Sequence, residues 1–194
     1  MHVSDEKESL RHSVQERIAH LSEKEKSAEG RTLCRHLLTH IPKGSTVCAY
    51  YPMKSEADIH LLLEELLLRG DTVFLPCFEN STLIFRQVLD FDHLRKGALG
   101  VLEPTQDEPV LTSGEGDIVL VPGRAFDRTG NRMGRGNGGY DKWIRKQRKM
   151  NPETLFVGIA LECQLVGSVP TEPHDEPIDA IATARGLVDA VKEI

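Results

Sequence analysis

No apolar run in this chain of 194 residues approaches the roughly 20 needed to cross a bilayer; the longest, such as Ile118 to Val121 and Leu155 to Ala160, are strand-sized. A membrane-spanning helix is therefore not expected. Residues 1–13 mix acids and bases with no apolar h-region, so no secretory signal is read there and a cytoplasmic location is expected. Cysteine is sparse. Cys34, Cys48, Cys77 and Cys163 form no C-x-x-C pair and have no histidine at ligand spacing, which argues against a zinc site or a disulfide framework and predicts buried, reduced thiols. Aromatics make up only 5% of the chain. Compositional bias is also missing: with 39% apolar and 28% charged residues, no internal repeat and no linker, one globular domain over residues 1–194 is expected.

The net charge of -6 speaks against a general nucleic-acid coat, but the charge is unevenly distributed. From Arg124 to Lys149 nine basic residues face two acids, Asp127 and Asp141, giving a local +7 and a candidate polyanion site. The only aromatics there are Phe126, Tyr140 and Trp143. That is few for a surface that stacks nucleic-acid bases.

Periodicity supplies the elements. Leu10, Val14, Ile18 and Leu21 recur at helical spacing, and Ser22 with Glu25 forms a capping-box pattern opening a second helix that carries Leu33, Leu37, Leu38 and Ile41 up to Pro42. Thr46 to Tyr51 reads as a strand, Ile59 to Arg69 as a helix closed by Gly70, Val73 to Leu75 as a strand, and Leu83 to Val88 as a third β run. Ile118 to Val121 lacks polar alternation, as in a parallel strand buried on both faces. A helix from about Tyr140, strands at Phe156 to Ala160 and Ile178 to Thr183, and a loose helical tail after Gly186 complete the reading. Strands alternating with helices predict an α/β fold with a helix-flanked, mainly parallel sheet.

Six of the sixteen glycines fall between residues 123 and 139, after a buried strand and before a basic helix. Glycine permits positive φ and close backbone approach, so such a loop can turn several N–H groups toward one anion, with the helix N-terminus adding partial positive charge. Phosphate is the natural guest. The loop lacks the G-K-S/T ending of a P-loop and lies too late in the chain for a Rossmann fingerprint. Asp141, directly after it, and Asp175, in Pro173 to Pro177, are carboxylates of the kind that serve Mg²⁺ beside polyphosphates.

The stretch Val121-Pro122-Gly123-Arg124-Ala125-Phe126-Asp127, followed by Gly130 to Asp141, resembles the signature of the 5-formyltetrahydrofolate cyclo-ligase family, roughly P-G-x-A-F-D-x-x-G-x-R-L-G-x-G-x-G-Y-Y-D. Further matches follow in order along nearly the whole chain. Lys7 to Arg11 resembles the family's K-x-x-L-R, Glu56 after Tyr51-Pro52-Met53 its folate-side glutamate, Gly100 to Pro104 its G-x-x-E-P, and Gln164 with His174-Asp175 its C-terminal Q and H-D. The resemblance implies a sheet of the sugar-isomerase and CoA-transferase type and one reaction: MgATP and 5-formyltetrahydrofolate, possibly polyglutamylated, give 5,10-methenyltetrahydrofolate, ADP and phosphate.

By position, the resemblance implies that Lys7 and Arg11 hold ATP phosphates, and that Arg132, Met133, Gly134, Arg135, Gly136, Asn137, Gly138, Gly139 and Tyr140 wrap the nucleotide. Of these, Arg135 to Gly139 would also meet the formyl-bearing ring, with Tyr51 and Glu56 on the pterin side. Arg132, Arg135, Asn137 and Tyr140 are the implied catalytic side chains, and Asp141 and Asp175 the implied Mg²⁺ ligands. Gly139 stands where the family pattern has a second aromatic, and it is expected to hold positive φ in a loop closed over that missing ring's space. Asn137 stands at a variable position of the pattern that is often Lys or Gly in the family. Phosphorylating a formamide oxygen turns it into a leaving group, and such a step needs positioning and charge stabilisation more than a protein nucleophile. This suits a chain without an evident catalytic triad. A polyanion- or RNA-binding relative without turnover, and a divergent ATP-dependent enzyme on another formamide or pterin-like compound, are the competing readings; a monomer or weak dimer with no membrane partner is expected.

Overall fold

The computed structural model describes residues 3–97 and 100–191. In chain order the elements are α1 (Val3–His20), α2 (Glu23–His40), β1 (Thr46–Cys48), α3 (His60–Leu68), β2 (Thr72–Glu79), β3 (Thr82–Val88), β4 (Arg95–Lys96), β5 (Leu102–Glu103), β6 (Ile118–Pro122), β7 (Ala125–Phe126), β8 (Arg132–Met133), α4 (Gly139–Met150), β9 (Leu155–Ile159), a 3-10 turn (Glu162–Gln164), β10 (Ala180–Thr183) and β11 (Gly186–Asp189). Seven strands form one sheet in the order β11-β10-β9-β6-β1-β2-β3. The pairs from β10 to β2 are parallel, and only the outer pairs, β10 with β11 and β2 with β3, are antiparallel. The mainly parallel α/β sheet expected from the sequence is what forms.

The two-residue repeat of β6 explains why its run lacks polar alternation. Ile118 and Leu120 pack into one core with Val14, Leu33, Leu37 and Leu63 from α1, α2 and α3, while Val119 and Val121 face a second core with Ile144 of α4, Phe85 and Phe156. Both faces of the sheet are thus covered by helices. At the start of α2 the Ser22 side chain accepts the Glu25 N–H and Glu25 accepts the Ser22 N–H, completing the capping box. Gly70, at φ 85°, closes α3. Among the described residues, no helix is long and apolar enough to cross a membrane.

Three boundaries differ from expectation. The tail after Gly186 is not helical: it folds back as β11, with Thr183 opposite Gly186 and Leu187 opposite Ala182. Gly186, at φ 124°, supplies the turn conformation, and pairing with β10 outweighs the weak helical preference of so short a segment. β1 stops at Cys48, three residues before Tyr51, because the chain leaves the sheet there and sends Tyr50 and Tyr51 to a cavity wall. β2 runs on past Leu75 to Glu79 and returns as β3 through Asn80 and Ser81, both at positive φ (47° and 62°), as a tight hairpin requires.

Candidate active site

At the C-terminal ends of β1, β2 and β6, where open parallel sheets characteristically bind ligands, lies a cavity of about 640 Å³. Its walls come from six parts of the chain, one of them Val101 and Glu103 at β5. Lys7 and Arg11 reach in from α1, Tyr51 and Glu56 from the segment after β1, Phe78 from β2, Arg132 to Gly138 with Tyr140 and Asp141 from the glycine loop and α4, and Glu172 to Asp175 from the segment before β10. Every site residue expected from the sequence lines this cavity except Gly139.

Gly139 is buried instead, as the first residue of α4. Within the loop Gly130 (85°), Gly136 (97°) and Gly138 (63°) are at positive φ and Gly139 is not, so the expected left-handed Gly139 is corrected. Its constraint is packing. A Cβ there would stand 3.0 Å from two carbons of the Phe78 ring, which fills the space from the opposite wall. Gly138 caps α4 without a side-chain hydrogen bond, and the Gly139 N–H is turned to Asn137 Oδ1 at 3.3 Å. A helix N-terminus capped by glycine leaves backbone N–H groups for an anion in the cavity.

Four ion pairs organise the charge. Arg132, 6% exposed, donates to Asp141 Oδ1 (3.0 Å) and to the Pro122 carbonyl (3.2 Å), and its guanidinium lies 5.6 Å from the centre of the Tyr140 ring. The Glu176 N–H also donates to Asp141 Oδ1. Arg135 donates to Glu56 Oε1 (2.9 Å), while Glu56 Oε2 accepts the Met53 N–H. Lys7 donates to both Asp175 Oδ2 (2.6 Å) and Glu172 Oε2 (2.8 Å). Burial by itself disfavours the charged form of Asp175, but the hydrogen bonds from Lys7 and the Glu172 N–H, together with the nearby charges of Lys7 and His174, jointly outweigh it and hold the carboxyl below the usual range. Arg11 donates to the Gly134 carbonyl (3.3 Å), tying α1 to the glycine loop.

Tyr140 has a buried hydroxyl without a hydrogen-bond partner; burial first, then the nearby Glu56, push its pKa well up, so it stays a neutral phenol. Arg124 is pulled down by burial and by Arg135, marking a crowd of guanidinium groups at this end of the sheet. Four of the nine bases in the +7 segment, Arg132, Arg135, Arg145 and Arg148, are balanced by Asp141, Glu56, Glu176 and Asp179.

Gln164 does not line the cavity but is fully buried behind it. Its side-chain amide donates to the Gly123 carbonyl (2.8 Å) and its Oε1 accepts the Leu161 N–H, so it pins the turn after β6. Phe78, Glu103 and Glu172 also line the cavity and were not singled out from the sequence. Glu103 lies inside the G-x-x-E-P match and Glu172 is three residues before Asp175, which were usable signals. Phe78 sits in an ordinary β run and carries none.

The family model described as the 5-formyltetrahydrofolate cyclo-ligase family matches residues 3–184. A 5-formyltetrahydrofolate cyclo-ligase of Mycolicibacterium smegmatis is 36% identical over 152 residues, covering 75% of this chain and 77% of that protein. One of Haemophilus influenzae is 28% identical over 181 residues, covering 90% and 96%. Among solved structures, the 5,10-methenyltetrahydrofolate synthetase of Aquifex aeolicus superposes with a TM-score of 0.82 at 28% identity, over 97% of this chain and 94% of that one. With the signature residues gathered around one cavity and the match running through nearly all of the sheet, the chain belongs to the 5-formyltetrahydrofolate cyclo-ligase family.

Proposed function

We propose that this protein uses MgATP to close 5-formyltetrahydrofolate into 5,10-methenyltetrahydrofolate, releasing ADP and phosphate. The observation that carries the reading is the sharing of one cavity by two chemically distinct walls. Lys7, Arg11 and the glycine loop before α4 are suited to phosphates, and Tyr51, Glu56 and Phe78 are suited to a flat, polar-edged ring. Arg135, paired with Glu56, joins the two walls.

The reaction then runs as a transfer followed by a ring closure. The formyl oxygen attacks the γ-phosphorus and ADP leaves; the neighbouring N10 nitrogen attacks the activated carbon, loses its proton, and phosphate departs with the formyl oxygen. Arg132 and Arg135, whose guanidinium groups are fixed by carboxylates, and the N–H groups of the glycine loop would stabilise charge on the transferring group. Asn137 orders the loop through the Gly139 N–H, and Tyr140 covers Arg132, shielding the site from water. The donors fit a hard divalent ion: the hydrogen bonds to Asp141 engage its Oδ1 and leave Oδ2 to the cavity side, and Asp175 sits with Glu172 and His174 in a group whose ligand atoms lie within 4.8 Å of one another. Mg²⁺ held by Asp141 and Asp175 would neutralise phosphate charge.

In this reading the protein acts in the cytoplasm as a monomer or weak dimer, on free or polyglutamylated folate. The test is incubation of the purified protein with 5-formyltetrahydrofolate and MgATP while following the near-ultraviolet absorption of the methenyl product. ATP-dependent appearance of that band is expected; none at high enzyme concentration overturns the proposal.

A further inference from the structure

Lys7 is a charged side chain with only 7% of its surface exposed, and its ammonium lies between two carboxylates, Glu172 at 2.8 Å and Asp175 at 2.6 Å. The Glu172 N–H donates to the same oxygen of Asp175 at 2.8 Å, so the turn closes on itself around the ammonium. Glu172, His174 and Asp175 each bring one ligand atom within 4.8 Å of the others, a spacing that a divalent cation can bridge. Lys7 thus occupies the ground a metal would compete for. It also faces the cavity beside Arg11 and the glycine loop, within the wall suited to phosphates. A lysine ammonium is a compact point charge, and turning it toward a phosphate draws it from the acids.

We propose that Lys7 is a placeholder cation: without nucleotide it holds the Glu172 and Asp175 carboxylates and keeps divalent metal off them, and a bound triphosphate draws it away and opens them to the metal. The proposal rests on the nucleotide and metal reading of the same cavity given above. Metal and nucleotide then bind with positive coupling, and by linkage each strengthens the other equally. Lys7→Met keeps length and apolar stem but removes the charge, leaving the acid pair without its cation.

The test is titration of the full chain with Mn²⁺, read by water-proton relaxation enhancement, which separates protein-bound Mn²⁺ from Mn²⁺ on free nucleotide. It is run with and without a non-hydrolysable ATP analogue. Without nucleotide, Lys7→Met should bind Mn²⁺ at least ~10-fold more tightly than wild type, since one positive charge has left the immediate surroundings of the acids. Asp175→Asn in the Lys7→Met background should abolish the gain, and Lys7→Arg should bind as weakly as wild type. The analogue should tighten Mn²⁺ binding in wild type and do little in Lys7→Met.

A Lys7 that only pins α1 to the turn predicts a lower Tm in Lys7→Met with no change in Mn²⁺ affinity, and that result overturns the proposal. Should Lys7→Met not fold, wild type alone decides: Mn²⁺ bound equally well with and without the analogue overturns it. Mn²⁺ that fails to bind wild type even with the analogue removes the metal reading and the placeholder with it.

Discussion

Replacing Gly139 tests whether packing, rather than backbone strain, explains a small residue beside the site. The residue starts α4 with φ outside the left-handed region, so an added side chain meets no conformational penalty there. Alanine instead places a methyl 3.0 Å from two ring carbons of Phe78, inside the carbon separation of about 3.5–4.0 Å where contact is most favourable. Phe78 borders the cavity, so its ring can yield by a few tenths of an ångström toward open space. Against that small cost stands a helix-propensity gain of up to about 1 kcal/mol for Gly→Ala. We expect Gly139→Ala to leave stability within about 1 kcal/mol of wild type but to raise KM for folate, because the displaced ring intrudes on the ligand.

Gly139→Tyr asks for a whole ring where Phe78 already lies, an overpacking of about 1–3 kcal/mol. Adding Phe78→Ala to it exchanges one ring for another and should restore most of the loss, with a coupling energy of at least about 1 kcal/mol in the double-mutant cycle. Denaturant unfolding and folate KM for the four proteins decide the matter. Additive effects within about 0.5 kcal/mol, or a Gly139→Tyr protein as stable and as avid as wild type, would refute the packing account.

Asp141→Asn and Asp175→Asn should each lower turnover at least ~10-fold, with recovery at high Mg²⁺ incomplete, since a ligand charge is lost; normal rates across a Mg²⁺ series would remove both from the metal site. Arg11→Ala should raise KM for ATP several-fold more than KM for folate, and equal effects on both would place Arg11 in loop packing through its bond to the Gly134 carbonyl instead. Burial pushes the Cys34 thiol up to about 11 and the Cys77 thiol up to about 12, above the ordinary value of 9.0. The unfolded chain therefore releases these protons first as pH rises, and stability should fall between about pH 9 and 12. Alkaline melting curves of Cys34→Ala and Cys77→Ala should be less steep, and unchanged slopes would show that other groups govern that limb.

The helices and buried strands were readable because each announces itself locally: the 3.6-residue recurrence of α1, the Ser22 and Glu25 cap of α2, the unbroken apolar run of β6. The phosphate-suited loop was readable as a cluster of glycines ahead of a basic helix. What escaped depends on contacts distant in sequence. β11 exists because β10 offers it an edge, and Phe78 matters because β2 carries it to Gly139, sixty-one positions away. The charge pairing of the site was equally hidden. Lys7 meets Asp175 across 168 positions, and Arg135 meets Glu56 across 79, so the basic segment read as a candidate polyanion site proves partly neutralised inside the fold.

The central claim, that the formyl oxygen is the phosphoryl acceptor, is tested most directly by following that oxygen. 5-Formyltetrahydrofolate labelled with ¹⁸O in the formyl group is turned over once with MgATP, and the released phosphate is analysed by mass spectrometry. The account predicts one ¹⁸O atom in the phosphate for each methenyl product formed. Methenyl product accompanied by unlabelled phosphate, with the label in water, would contradict it.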